Sequence, residues 1–285
     1  MRVGVIGLGL IGGSVAKACL RAGWTVYAHD VNSRVIEQAR VEGIIVDTTW
    51  EQWIQDVDQI VLATPLNDVA IWIPRILAHA RAGCTIVDMS SVKGIFQSLY
   101  AQIQPPFSLL SLHPMAGKEV RGFEHSDGRL FEGRSCLIVE FEGIALDAHL
   151  VQQWMTVLGS HPVWVPWDQH DALMSLVSHT PYLISAAVLT LAQNADNTLP
   201  LWPQVVGTGF LDVTRIGASD EELWKEILKA NESHIRETFA QFAQLIHEWN
   251  DQIQRGEWPK ALKDTASIRN RAVSKVAPPS SPTNG

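Results

Sequence analysis

Arg2-Val3-Gly4-Val5-Ile6-Gly7-Leu8-Gly9-Leu10-Ile11-Gly12 opens the chain, and the reading of this stretch decides the fold. An apolar strand runs into G-x-G-x-x-G and then into a helical segment from Gly13 to Leu20. That arrangement cradles a pyrophosphate on a helix N-terminus. Gly7 permits the tight turn, Gly9 lets the backbone approach the phosphates, and Gly12 lets the helix pack close to the strand; Leu8, Leu10 and Ile11 complete the cofactor-binding turn. A second strand, Trp24 to His29, ends at Asp30, 18 residues after Gly12 (30 − 12). The spacing is close to the ~20 residues expected for the acid that holds the ribose hydroxyls.

Outward from this stretch, short apolar strands alternate with helical segments, which predicts a parallel sheet covered on both faces. Ser33 to Glu42 reads as a helix. Asp58 to Pro65 reads as a buried strand stopped by proline, with Asn67 capping a helix that runs to about Ala80. Further strands are expected at Cys84 to Met89, Leu109 to Leu112, Ser135 to Glu140 and Pro162 to Val165. At Trp167 the pattern changes. Asp168 reads as an N-cap, helical spacing continues to about Gln193, and Glu221 to Arg255 reads as one long amphipathic helix. The expected fold class is α/β: a Rossmann-type dinucleotide-binding domain over 1–166 followed by an all-helical substrate and dimerisation domain over 167–273. A Pro/Ser-rich disordered tail is expected over 274–285. The alternative for the helical half is a cap packed on its own chain.

The 285 residues have room for about two domains. A hydrophobic content of 46% against 18% charged residues fits a soluble protein with a sizeable core. A net charge of −8 gives no support to a nucleic-acid or anionic-membrane partner. Cys19, Cys84 and Cys136 lie in apolar stretches and read as reduced core residues of a cytoplasmic protein. No C-x-x-C or H-E-x-x-H pattern suggests a metal site. The apolar run from Tyr182 to Ala192 is too short to span a bilayer.

Ligands of an open parallel sheet bind beyond the carboxyl ends of its strands. Asp30, Thr64-Pro65, Ser90-Ser91 and His113 all fall at such ends. The Asp30 carboxylate would repel a 2′-phosphate, which favours NAD; Arg34 keeps NADP as the alternative. Ser91 reads equally as a helix cap and as a site residue, and Lys93 as a simply exposed side chain. His113 sits between a buried strand and Pro114, where an imidazole can take the proton of an alcohol being oxidised. The helical half offers His170, Asp171, His179, Asp212 and Arg215. His170 and His179 are nine residues apart, two and a half turns, so they should not share a face. Asp212 and Arg215 are spaced to pair on a helix. Arg215, with Gly207, Gly209 and Gly217 around it, could grip a substrate carboxylate.

Five segments occur in order: the glycine turn with Gly13-Ser14, Ser90-Ser91-Val92-Lys93, His113-Pro114-Met115-Ala116-Gly117, Ser178-His179-Thr180-Pro181, and Gly209-Phe210-Leu211-Asp212-Val213-Thr214-Arg215-Ile216. Together they resemble the prephenate/arogenate dehydrogenases of tyrosine biosynthesis over about residues 1 to 265. The resemblance implies oxidative decarboxylation of a cyclohexadienol with hydride transfer to NAD(P). It implies that His113 takes the C4 hydroxyl proton and Ser91 orients that hydroxyl. It further implies that Arg215, fixed by Asp212, holds a carboxylate and that His179 lies near the substrate side chain. Leu211 and Lys118-Glu119 depart from the common pattern of that family. An acid near the side chain would favour the ammonium of arogenate over the keto group of prephenate; Glu124 and Glu119 are the candidates. A β-hydroxyacid dehydrogenase or an imine reductase is the alternative enzyme class, although Lys229 and Asn231 do not form the K-x-x-N-N pattern of the former. A non-enzymatic dinucleotide sensor is the third reading.

Overall fold

Seven strands form one sheet in the order β2-β1-β3-β4-β5-β6-β7. They are β1 (Arg2–Ile6), β2 (Thr25–His29), β3 (Gln59–Leu62), β4 (Thr85–Asp88), β5 (Ser108–Pro114), β6 (Ser135–Glu140) and β7 (His161–Pro166). The computed structural model describes residues 1–46 and 49–276. The N-terminal half supplies α1 (Leu10–Arg21), α2 (Ser33–Val41), α3 (Trp50–Trp53), α4 (Leu66–His79), α5 (Gln97–Tyr100) and α6 (Ala148–Leu158). After the sheet come α7 (Trp167–Met174), α8 (Thr180–Asn194), α9 (Thr208–Thr214), α10 (Glu221–Ala230), α11 (Glu232–Gln254) and α12 (Thr265–Val276).

Every residue of β3 and β4 is buried. Helices cover both faces, so the middles of these strands, Ile60-Val61-Leu62 and Ile86-Val87, are apolar without alternation. Successive side chains point to opposite faces. Val61, Val87 and Leu110 pack with α1 and α6 on one side, while Ile60, Ile86 and Leu109 pack with α4 and α5 on the other. The sheet is not wholly parallel: β5 and β6 pair antiparallel. No crossover helix joins them, only a loop with one helical turn at Phe123–His125, so β6 returns reversed. That loop leaves the carboxyl end of β5 and becomes a wall of the site.

Four local expectations change. Helix α4 begins at Leu66 with Pro65 before it, so Asn67 lies inside the first turn and is not the cap. Helix α7 begins at Trp167 after Pro166, which puts Asp168 inside as well. The long helix breaks at Asn231 (φ −115°, ψ 29°) into α10 and α11, because the Asn231 side chain is buried and bonds across to α7. Helix α12 runs to Val276, so residues 274–276 are helical; the remainder of the expected tail, from 277, lies outside the described residues.

A π-turn at Ser175–His179 joins α7 to α8. The joined run, Trp167–Asn194, is long and apolar enough to cross a membrane by length and composition. It carries six buried polar residues, His170, Asp171, Ser175, His179, Thr180 and Ser185, and Ser175 Oγ donates to the His234 carbonyl oxygen of α11 at 2.9 Å. Those contacts make it the central helix of the helical half.

Candidate active site

A cavity of about 400 Å³ opens beyond the carboxyl ends of β1, β3, β4 and β5, between the sheet and α10. Gly9, Leu10, Ile11, Thr64 and Pro65 form one wall, and Ser91 and His113 form the floor. Leu8 is buried beneath the glycine turn. Its N–H donates to Asp30 Oδ2 at 2.7 Å, and Asp30 Oδ1 accepts from the Asn32 N–H at 2.8 Å. The acid at the end of β2 is thus locked to the turn it is expected to serve.

The turn fits a dinucleotide on its own geometry. Gly7 has φ +88°, a conformation that L side chains rarely adopt. A Cβ on Gly12 would lie 1.8 Å from the Gly7 carbonyl oxygen, whereas a Cβ on Gly9 would meet nothing within 4 Å. Gly12 is therefore required by the fold, while Gly9 leaves space that the protein itself does not use. Thr64 Oγ1, at the same wall, is buried with no hydrogen-bond partner. Gly9→Ala is expected to melt like the wild type and to bind NAD more weakly in a fluorescence titration. Gly12→Ala is expected to lose about 1–3 kcal/mol or more of stability from overpacking, read as a lowered urea midpoint.

His113 is reached from the helical half. Its Nδ1 lies 2.9 Å from His170 Nε2, and His170 Nδ1 lies 2.7 Å from Asp171 Oδ1. Asp171 also accepts the Lys93 N–H on Oδ1 at 2.9 Å and the Gly94 N–H on Oδ2 at 2.7 Å. Burial works to raise the Asp171 pKa, but these hydrogen bonds, His170 first, hold it below the usual carboxylate value. A charged Asp171 must receive the Nδ1–H of His170. Neutral His170 then accepts at Nε2 and receives the Nδ1–H of His113. The unprotonated nitrogen of His113 is thereby Nε2. Burial, then His170 and Lys93, push the His113 pKa well below its ordinary value, so the ring is neutral near pH 7.

Lys93 is not exposed but completely buried. Its Nζ donates to Asp88, at the end of β4, and to the Leu112 carbonyl oxygen at 2.9 Å. Asp88 also accepts from the Ser90 backbone N–H at 2.9 Å, from Ser90 Oγ at 3.0 Å and from Ser111 Oγ at 3.0 Å. Burial lowers the Lys93 pKa against the pull of Asp88; Asp88 stays below its usual value because Lys93 and Ser90 outweigh its own burial. One ion pair thus ties together the strand ends that carry Ser91 and His113.

Other predicted residues are placed differently. Arg215 is paired with Glu119 of the β5–β6 loop, not with Asp212, which is exposed. Glu119 lines the cavity, which sets Arg215 at its mouth. Glu124 is outside the cavity wall and half-exposed, 3.9 Å from His125 Nε2. His179 is buried behind the site, its Nδ1 3.1 Å from Asn231 Nδ2. Burial lowers its pKa to about 4. The π-turn winds the helix wider than 3.6 residues per turn, so His170 and His179 both face inward despite their spacing. Arg34 is exposed. His170 and Asp171, which the sequence offers without a role, stand behind His113, and Asn231, which it does not place at the site, joins them: its Nδ2 donates to the Asp171 carbonyl oxygen at 2.7 Å. The adjacent pair His170-Asp171 was the available signal, but its link to His113 crosses 57 residues.

Residues 15–164 match the nucleotide-binding domain of prephenate dehydrogenase, and residues 166–265 match the prephenate dehydrogenase dimerization domain. A prephenate dehydrogenase of Bacillus subtilis is 27% identical over 250 residues, covering 84% of this chain and 67% of that protein. A cyclohexadienyl dehydrogenase of Zymomonas mobilis is 24% identical over 238 residues, covering 80% of each. The structure of prephenate dehydrogenase from A. aeolicus, in complex with hydroxyphenyl propionate and NAD+, superposes with a TM-score of 0.77 at 25% identity, covering 96% of each chain. Together with the glycine turn at the cavity wall, these matches establish that the chain belongs to the prephenate dehydrogenase family of NAD-dependent oxidoreductases.

Proposed function

We propose that the protein oxidises and decarboxylates a cyclohexadienol, prephenate or arogenate, to an aromatic product. The observation that carries this reading is the His113–His170–Asp171 chain, which leaves Nε2 of His113 as a fixed acceptor in the cavity lining that it shares with Ser91. NAD, held by Gly7 to Gly12 and Asp30 with Thr64 and Pro65 beside it, supplies the hydride acceptor when bound. His113 Nε2 takes the proton of the C4 hydroxyl as hydride leaves C4. The ring carboxylate departs as carbon dioxide, and its bonding pair enters the ring to make it aromatic. His113 then returns its proton to the phenolic oxygen, so no net proton is consumed. Ser91 orients the hydroxyl toward His113. Arg215 exchanges its Glu119 partner for a substrate carboxylate.

The test crosses prephenate and arogenate with NAD and NADP and follows the absorbance of reduced nicotinamide. Steady growth with one substrate and NAD is expected; no growth in any combination overturns the reading. Arg215→Gln is expected to raise KM about 10- to 100-fold, since a charge-assisted contact contributes about 1.5–3 kcal/mol, with kcat nearly kept. Wild-type KM in this variant removes Arg215 from the site. The protein acts as a soluble cytoplasmic homodimer in this reading. Exposed apolar residues on the π-turn and α11, including Leu176, Val177, Leu245 and Ile246, supply the contact surface.

A further inference from the structure

Five charged side chains line the cavity: Lys118, Glu119, Arg121, Asp220 and Glu226. Two of the acids are already matched, Glu119 by Arg215 and Asp220 by Arg121. Asp220 is further committed as the N-cap of α10, accepting the Leu223 N–H at 3.0 Å. Lys118 Nζ donates to the His125 carbonyl oxygen at 2.7 Å, a bond that leaves its charge uncompensated. Glu226 Oε2 accepts the Leu66 N–H at 3.3 Å, and no basic side chain among the described residues pairs with it. Among the described residues the cavity therefore holds one unpaired cation, Lys118, and one unpaired anion, Glu226. Glu226 reaches it because positions 220, 223, 226 and 227 share one face of α10, three to four residues apart, with Leu223 and Ile227 as the apolar wall beside it. Half-buried there, its carboxylate is screened less than a surface charge.

We propose that Glu226 is the specificity-determining residue of this cavity and that it selects a substrate whose side chain carries an ammonium group. Lys118 and Glu226 are the charge complement of an α-amino acid group, carboxylate and ammonium together. A keto acid offers a carbonyl oxygen where the ammonium would be, and a carboxylate repels it. The inference rests on the proposed activity and names arogenate as the preferred substrate over prephenate. It also moves the selecting acid away from Glu124, which does not reach the cavity.

Glu226→Gln is the decisive variant, because Gln Oε1 still accepts the Leu66 N–H while the charge is gone. With NAD saturating, kcat/KM is measured for arogenate and for prephenate in wild type and variant. The wild type is expected to prefer arogenate, and the arogenate-to-prephenate ratio is expected to fall at least about tenfold in the variant, the scale of one charge-assisted contact. Calorimetric binding of tyrosine and of 4-hydroxyphenylpyruvate to both proteins reads the same discrimination without turnover, and the same fall is expected. A wild type that prefers prephenate, or ratios unchanged within about twofold in both measurements, overturns the inference while leaving the activity intact. A wild type that turns over neither substrate removes the activity and this inference with it.

Discussion

His113→Asn is expected to lower kcat by about 10²- to 10⁴-fold, the range for a lost general base, while NAD binding stays at the wild-type level. Asparagine preserves the approximate volume and can still donate to His170 Nε2, but its amide cannot take a proton near neutral pH. Among the described residues the glycine turn makes no hydrogen bond to His113, whose ring partner is His170 in the helical half. Stopped-flow turnover with a parallel cofactor titration separates the two effects. Turnover close to wild type would remove His113 from the chemistry. The wild-type pH profile carries the same assignment. In the proposed mechanism the neutral ring is the active base, and burial, then His170, Lys93 and His179, place its pKa well below 6.5. The kcat/KM profile should therefore be flat above pH 6.5 and fall only as pH drops through that lowered value. An acid limb at or above 6.5 would contradict the buried, neutral base.

Asp171→Asn is expected to cost a similar factor, about 10²- to 10⁴-fold in kcat, although Asp171 touches neither substrate nor cofactor. The cause is tautomeric. An asparagine amide that donates to His170 Nδ1 moves the His170 proton to Nε2. His113 Nδ1 must then accept, and its own proton sits on Nε2, the nitrogen that should be empty. Asp171 is a positioning residue in this sense. A purely structural role would lower stability and KM-type terms together. The tautomer argument instead predicts unchanged NAD affinity and a kcat loss that deepens no further in the double variant with His113→Asn. Additive losses in that double variant would show that the two residues act separately. The variant also forfeits one of the backbone bonds from Lys93 and Gly94, so a modest drop in melting temperature accompanies the kinetic effect.

Much of this molecule can be read along the chain, because its deciding signals are local. A glycine needed at φ +88° in Gly7, a Cβ-free contact at Gly12 and an acid at the end of the next strand are fixed within about 30 residues of one another. Strand spacing and the switch to helical periodicity at Trp167 are equally local, and so is the appearance of His113 at a strand end. The errors share one origin. Lys93 reads as exposed because, although Asp88 is only five residues earlier, its burial depends on β5, whose Leu112 carbonyl oxygen accepts from Nζ. The helix through Asn231 reads as continuous because its periodicity is unbroken; the distant Asp171 carbonyl oxygen and His179 ring give the asparagine a reason to leave the helix.

The sequence by itself determined the nucleotide fold, the cofactor turn and the place of His113 at a strand end, since propensity, steric exclusion and spacing act over short separations. Tertiary structure alone decided which nitrogen of His113 is free, which acids of the cavity remain uncompensated, and that Arg215 meets Glu119 in place of Asp212. Those outcomes depend on hydrogen bonds and charge pairs between residues 57 to 160 positions apart, and a protonation state is set by the whole chain of partners, not by the residue that carries it.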